Sequence, residues 1–125
     1  MKTLLAIGIG AGVGSYGRYL VSLPDFSLVY PAGTFLANVS GSLLLGIFSG
    51  YFSVKKPKEW MKAGLGVGLC GGYTTFSTFA FEVNMFLFHE QWLEAAIYMA
   101  GTLAGGITLV FLGFYLGERM GGGEE

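Results

Sequence analysis

The side chains able to do chemistry in this chain are polar ones set among apolar neighbours. Thr34, Asn38 and Ser42 recur every four residues, and Tyr98 with Thr102 repeats that step, so each set forms a stripe along one helix face. A third group is the run Gly71-Gly72-Tyr73-Thr74-Thr75-Phe76-Ser77-Thr78-Phe79. Two adjacent glycines, two β-branched threonines and a Ser-Thr pair make poor helix, and their hydroxyls compete for backbone partners. A break is expected there. Hydroxyls and an amide can replace the hydration shell of an anion without adding a fixed charge that would trap it, and carbonyls freed by a helix break can hold a cation. The plainer account is that the stripes join helix to helix by hydrogen bonds and that the run is a glycine kink with aromatic packing. Both accounts stay open at this point.

Other chemistry is poorly served. His89 is the sole histidine and lies at a helix boundary, where a solvated loop residue explains it. Cys70 is the sole cysteine, in an apolar and glycine-rich run, so one chain can build neither a disulfide nor a zinc site, and Cys70 reads as a small buried packing residue. No Walker or other nucleotide motif is present, and we expect no enzyme. The net charge of −1 gives no basic footprint for nucleic acid.

The elements that must carry these residues are set by the solvent. Of 125 residues, 53% are hydrophobic and 12% charged, against roughly a quarter charged in soluble domains, so the solvent is lipid. Charge spacing divides the chain into four spans, at about 3–23, 29–54, 63–88 and 95–117, each near the ~20 residues that cross a bilayer core. The connections are Pro24-Asp25-Phe26-Ser27, the stretch from Lys55 to Lys62, and His89-Glu90-Gln91. The apolar run behind Lys2 is interrupted by Gly8, Gly10, Gly12, Gly14 and Gly17 and lacks an A-x-A-like cleavage site, so it reads as a span and not as a signal peptide. The tail from Gly121 to Glu125 reads as a frayed terminus.

Glycines four apart recur at Gly8/Gly12, Gly10/Gly14, Gly46/Gly50, Gly64/Gly68/Gly72, Gly101/Gly105 and Gly113/Gly117, which predicts a tightly packed bundle and says nothing about transport. The expected fold is an all-α membrane domain of four helices, the third broken near its middle.

The run from Gly71 to Phe79 resembles the G-G-x-T-T-F-S-T-F signature of the Fluc/CrcB fluoride channels. Gly10, Gly14, Arg18 and Tyr19 resemble that family's glycine-rich first helix ending in arginine, and Gly33-Thr34-Phe35, Asn38 and Gly41 resemble its second-helix pattern. The likeness covers nearly the whole chain. It implies passive fluoride export through a cell (inner or plasma) membrane, with Phe76 and Phe79 turning ring edges to the ion and Asn38 donating its amide. It further implies pore roles for Tyr98 and, through a polar track, Thr102; a vestibule role for Arg18; and a place for Ser77, Thr78 and Glu82 in the same third-helix region. Backbone carbonyls of Gly71 and Thr74, from two subunits, would hold a central structural Na⁺.

The family resemblance also implies an antiparallel dual-topology homodimer. Lys2, Lys55, Lys56, Lys58, Lys62 and Arg119 fall on one side and only Arg18 approaches the other, which the positive-inside rule reads as one orientation and which leaves room for a heterodimer with an inverted paralogue. Two rivals differ in class. A small dual-topology proton-coupled drug or cation antiporter needs an acidic residue deep in the first helix, which is absent here, leaving Glu82 as its only candidate. A structural subunit packing through glycines predicts no ion flux.

Overall fold

The computed structural model describes residues 1–23 and 31–122. In chain order these form α1 (Lys2–Ser22), α2 (Ala32–Lys55), α3 (Glu59–Lys62), a π-helical stretch (Ala63–Cys70), α4 (Gly71–Tyr73), α5 (Phe76–Phe88) and α6 (Trp92–Gly122). No strand occurs among the described residues. Among the described residues three helices, α1, α2 and α6, are long and apolar enough to cross a membrane.

Several boundaries differ from those read in the sequence. The helix expected over 95–117 runs from Trp92 to Gly122, and its 31 residues span about 46 Å at 1.5 Å per residue, more than the apolar core of a bilayer. Gly121 and Gly122 are therefore helical and not a frayed tail. Gly121 is buried, and a Cβ there would stand 2.9 Å from Val54 Cβ. After α2, Lys56 takes a left-handed conformation (φ 43°) and Lys58 is extended. Helix then resumes at Glu59, four residues before the expected start of the third span, steadied by Lys62 Nζ on Glu59 Oε1 at 2.8 Å. The Pro24–Ser27 connection, the expected start of span two at 29, and residues 123–125 lie outside the described residues.

Packing follows the glycines, but only those on the right face. Cβ atoms at Gly46 and Gly50 would strike the carbonyls of Val110 and Phe114, and Cβ atoms at Gly113 and Gly117 would strike those of Leu43 and Ile47. Residue numbers rise together along both helices, so α2 and α6 lie parallel and interlock backbone to backbone, as small residues permit in lipid. A second parallel pair joins α1 to the following glycine run: Gly10 and Gly14 abut Gly64, Leu69 and Tyr73, while a Cβ at Gly72 would approach Ala11 O to 2.5 Å. Gly8 and Gly12 face open space, so their identical spacing serves no contact among the described residues.

The small core joins α5 to α6: Val83, Phe86, Ala95 and the fully buried Tyr98, with Phe35 of α2 and Phe79 packed against it. Most other large apolar side chains are exposed, among them Leu4, Ile9 and Val13 of α1 and Ile107 and Phe111 of α6, which suits lipid contact.

Candidate functional site

The helical path is interrupted at Thr74 and Thr75. Both are extended, with φ/ψ of −78°/160° and −148°/126°. The two glycines before them are helical, and so are Ser77 and Thr78 after them. The β-branched threonines, better suited to extended backbone than to helix, hold the interruption.

Backbone groups exposed by the interruption find side-chain partners. Thr75 N–H donates to Asn38 Oδ1 at 2.8 Å, and Asn38 Nδ2 donates back to the Thr75 carbonyl at 3.0 Å. Thr75 also caps α5: its Oγ1 accepts from Thr78 N at 3.2 Å and donates to Thr78 Oγ1 at 3.1 Å, while Ser77 Oγ lies 3.4 Å away. Thr74 turns inward, its N–H and its hydroxyl both donating to the Cys70 carbonyl at 2.9 Å.

These bonds redirect two amides. In a continuous helix the N–H groups of Thr75 and Thr78 would be given to the carbonyls of Gly71 and Thr74, four residues earlier. Here they go to Asn38 Oδ1 and Thr75 Oγ1. The Gly71 and Thr74 carbonyls thus lose their helical donors, which fits the donor set that a small hard cation prefers.

Beside the interruption lies a concave face of about 530 Å³ between α2, the π-helical stretch and α6, lined by Asn38, Ser42, Gly71, Thr74, Phe76 and Thr102 among others. Phe76 is 80% exposed, and its ring centroid stands 6.0 Å from that of Phe79, which also lines the concavity. Phe79 in turn packs on Tyr98 at 5.2 Å, and Tyr98 on Phe86 at 5.8 Å, so an aromatic file runs from the open face into the core. Ser42 spends its hydroxyl on the Asn38 carbonyl of its own helix at 2.8 Å. Thr102 Oγ1 is buried without a hydrogen-bond partner among the described residues.

Glu82 ties three helices together. Its Oε1 accepts from Thr34 Oγ1 and its Oε2 from Tyr98 Oη, both at 2.7 Å. The upper members of both polar stripes therefore converge on one carboxyl group of α5.

The structure thus brings Asn38, Gly71, Thr74, Phe76, Phe79 and Thr102 to one concavity. Tyr98 sits behind Phe79 in the core, fully buried, with its hydroxyl on Glu82. Ser77 and Thr78 occupy the exposed first turn of α5. Arg18 is half-buried on α1, one turn before its end at Ser22, and does not line the concavity. Thr75 is a site residue that the sequence reading does not single out, although a Thr immediately ahead of an apolar helical run is a helix-start signal. The partners of Glu82 could not be seen: they lie 48 and 16 residues away.

Residues 5–114 match the family described as CrcB-like protein, Camphor Resistance (CrcB). Among curated proteins the chain is similar to Fluoride-specific ion channel FluC 2 of Halalkalibacterium halodurans, 42% identical over 120 residues covering 96% of this chain and 89% of that protein. It is similar to Fluoride-specific ion channel FluC 2 of Bacillus subtilis, 40% identical over 125 residues with 100% and 95% covered. It is also similar to Fluoride-specific ion channel FluC of Pyrococcus abyssi, 40% identical over 123 residues with 95% and 98% covered.

Proposed function

Because this chain belongs to the CrcB-like family, its relatives being fluoride-specific ion channels along their whole length, we propose that it is a fluoride-selective channel exporting cytoplasmic fluoride passively. It is a multi-pass membrane protein and not an enzyme. Hydrogen fluoride crosses membranes uncharged and dissociates in a more alkaline cytoplasm, where the anion accumulates. A channel relieves this, and an inside-negative potential drives the anion outward by about 2.3 kcal/mol per 100 mV, so neither ATP nor proton coupling is needed. Fluoride resistance follows.

The observation that carries the reading is the concavity beside the interruption. Fluoride is small and strongly hydrated, and stripping even a carboxylate-sized ion costs on the order of 20 kcal/mol in the idealised low-dielectric limit, so replacement contacts are obligatory. Asn38 retains an N–H beyond the one given to Thr75, and Phe76, Phe79 and Thr102, whose hydroxyl has no partner among the described residues, line the same concavity. Ring edges present polarised C–H groups to an anion where ring faces repel it. Tyr98 backs Phe79, Ser77 and Thr78 extend the hydroxyl surface at the start of α5, and Arg18 draws anions toward the vestibule.

In this reading the segment from Glu59 to Phe88 is the fourth crossing, broken at Thr74–Thr75, and the host is the inner or plasma membrane. The subunit works as an antiparallel homodimer. A two-fold axis in the membrane plane sets two open concavities face to face and lets the Gly71 and Thr74 carbonyls of both copies enclose one Na⁺ of structural role. The one-sided cations, Lys2, Lys55, Lys56, Lys58, Lys62 and Arg119, favour the alternative of an inverted paralogue as partner, and crosslinking of singly expressed protein separates the two.

The test is anion efflux from vesicles holding the purified protein. Rapid fluoride loss with little chloride loss is expected, and Phe76→Ile or Phe79→Ile should abolish it. Equal chloride conduction would defeat the assignment.

A further inference from the structure

Thr75 is held on both sides by one side chain from another helix. Its N–H reaches Asn38 Oδ1 at 2.8 Å and its carbonyl receives Asn38 Nδ2 at 3.0 Å, a closed pairing of the kind that joins two strands. The orientation of the amide is set by its partners, since a backbone N–H only donates and a carbonyl only accepts. The pairing is well sheltered: Thr75 is buried, Ala37 beside Asn38 is fully buried, and a Cβ at Gly41, one turn on, would run into Thr74 and Tyr73.

The competing structure is explicit. Released from Asn38, the Thr75 N–H has the Gly71 carbonyl waiting four residues earlier, and that bond would carry α4 into α5 as one helix. An added helical turn would rotate everything beyond it, including Phe76 and Phe79, about the helix axis. We propose that Asn38 is a positioning residue, pairing with both backbone groups of Thr75 to hold the interruption open and thereby fixing where the two phenyl rings stand. This rests on the channel reading above, in which Asn38 was given only the part of an anion donor. The two parts are chemically separable. The staple needs one donor and one acceptor; contact with the anion needs the second N–H of Nδ2.

A protonated carboxylic acid has one donor and one acceptor in nearly the shape of the amide, and no second N–H. Asn38→Asp is therefore an experiment in both directions. Ionised, it keeps the acceptor, loses the donor to the Thr75 carbonyl and repels fluoride. Protonated, it restores the whole staple without the extra donor. Efflux from vesicles is measured for the wild type, Asn38→Ala and Asn38→Asp while the medium is acidified until the infrared carbonyl band of a protonated carboxylic acid at position 38 emerges. Protein-free vesicles correct for hydrogen fluoride crossing the lipid, and the wild type corrects for any effect of acid on the rest of the protein. Exchange of the Thr75 amide proton, followed by NMR on threonine-labelled protein, is read alongside.

With a positioning role, Asn38→Ala loses efflux by roughly tenfold or more and its Thr75 amide exchanges faster by a similar factor, the equivalent of one interior hydrogen bond. Asn38→Asp matches it while ionised, then recovers both efflux and amide protection once protonated. Efflux that stays at the alanine level after protonation, or an alanine variant that conducts like the wild type, overturns the proposal. Should the alanine variant not fold, the aspartate series decides by itself. If the wild type carries no fluoride, the channel reading fails and amide exchange alone judges the staple: a Thr75 amide as protected in the variants as in the wild type refutes it, and protection lost and regained with protonation upholds it.

Discussion

Replacing Glu82 by leucine tests the clamp that joins α2, α5 and α6. The carboxyl group accepts from Thr34 Oγ1 and Tyr98 Oη at 2.7 Å each, and Thr34 is 5% exposed and Tyr98 0%. A buried hydroxyl deprived of its acceptor costs about 1–3 kcal/mol, so two cost about 2–6 kcal/mol. Glu82 is itself only half-buried, and water reaching it lowers the expectation to about 2–4 kcal/mol. Leucine fills similar space, so packing loss adds little. The assay is denaturant unfolding in detergent micelles, followed by the fluorescence of Trp60 and Trp92. Thr34→Val in the Glu82→Leu background should then cost less than in the wild type by about 1 kcal/mol or more, because the hydroxyl it removes has no acceptor left. Adding Tyr98→Phe should recover most of the loss, since replacing every partner of a polar network by apolar groups approaches neutrality. Additive single effects, or a Glu82→Leu protein as stable as the wild type, would refute the claim that this carboxyl group holds the three helices.

Three further outcomes follow from the same contacts. Gly50→Ala drives a Cβ into the Phe114 carbonyl and to 2.9 Å from Glu118 N, so it should destabilise by about 1–3 kcal/mol; Gly8→Ala, whose Cβ meets nothing within 4 Å, should be neutral or gain up to about 1 kcal/mol, both read as shifts in unfolding midpoint. Thr75→Val keeps the shape and the backbone pairing with Asn38 but removes the cap on the Thr78 amide, costing about 0.5–2 kcal/mol in the same assay and speeding exchange of that amide. Thr102→Val removes a buried hydroxyl that has no partner among the described residues, so stability should rise by about 1 kcal/mol or more while fluoride efflux falls; a loss of stability would show that the hydroxyl is bonded within the subunit.

Much of this arrangement was legible in the residues, and the illegible part has a common cause. Long apolar stretches marked the helices because lipid admits few charges, and the Gly-Gly-Tyr-Thr-Thr run marked weak helix because propensity is local. Face selection was not local. Gly8/Gly12 and Gly10/Gly14 carry the same spacing, yet among the described residues only the second pair meets a neighbouring backbone, a fact fixed by how α1 is rotated against the glycine run beyond Lys62. The π-helical stretch over Ala63–Cys70 escaped for a related reason, since glycine permits many backbone states and the sequence does not say which one packing selects. Gly121 reads as tail by composition and is buried because Val54 happens to stand opposite.

The polar residues show the same limit from the other side. Their four-residue spacing correctly placed Thr34 and Asn38 on one face, but spacing does not say what a face meets. Thr34 went to a carboxyl group and Asn38 to a backbone, so neighbours in the stripe do different work: one joins helices, the other sustains an interruption. That interruption has a threonine at its centre because the position asks for three things together. The backbone must be extended, its N–H and carbonyl must face α2, and a hydroxyl must reach forward to cap α5. Serine would cap as well but has less preference for extended backbone, and valine has the preference without the cap. Threonine meets all three, which is why Thr75, more than the paired glycines before it, fixes the site at which the helix opens.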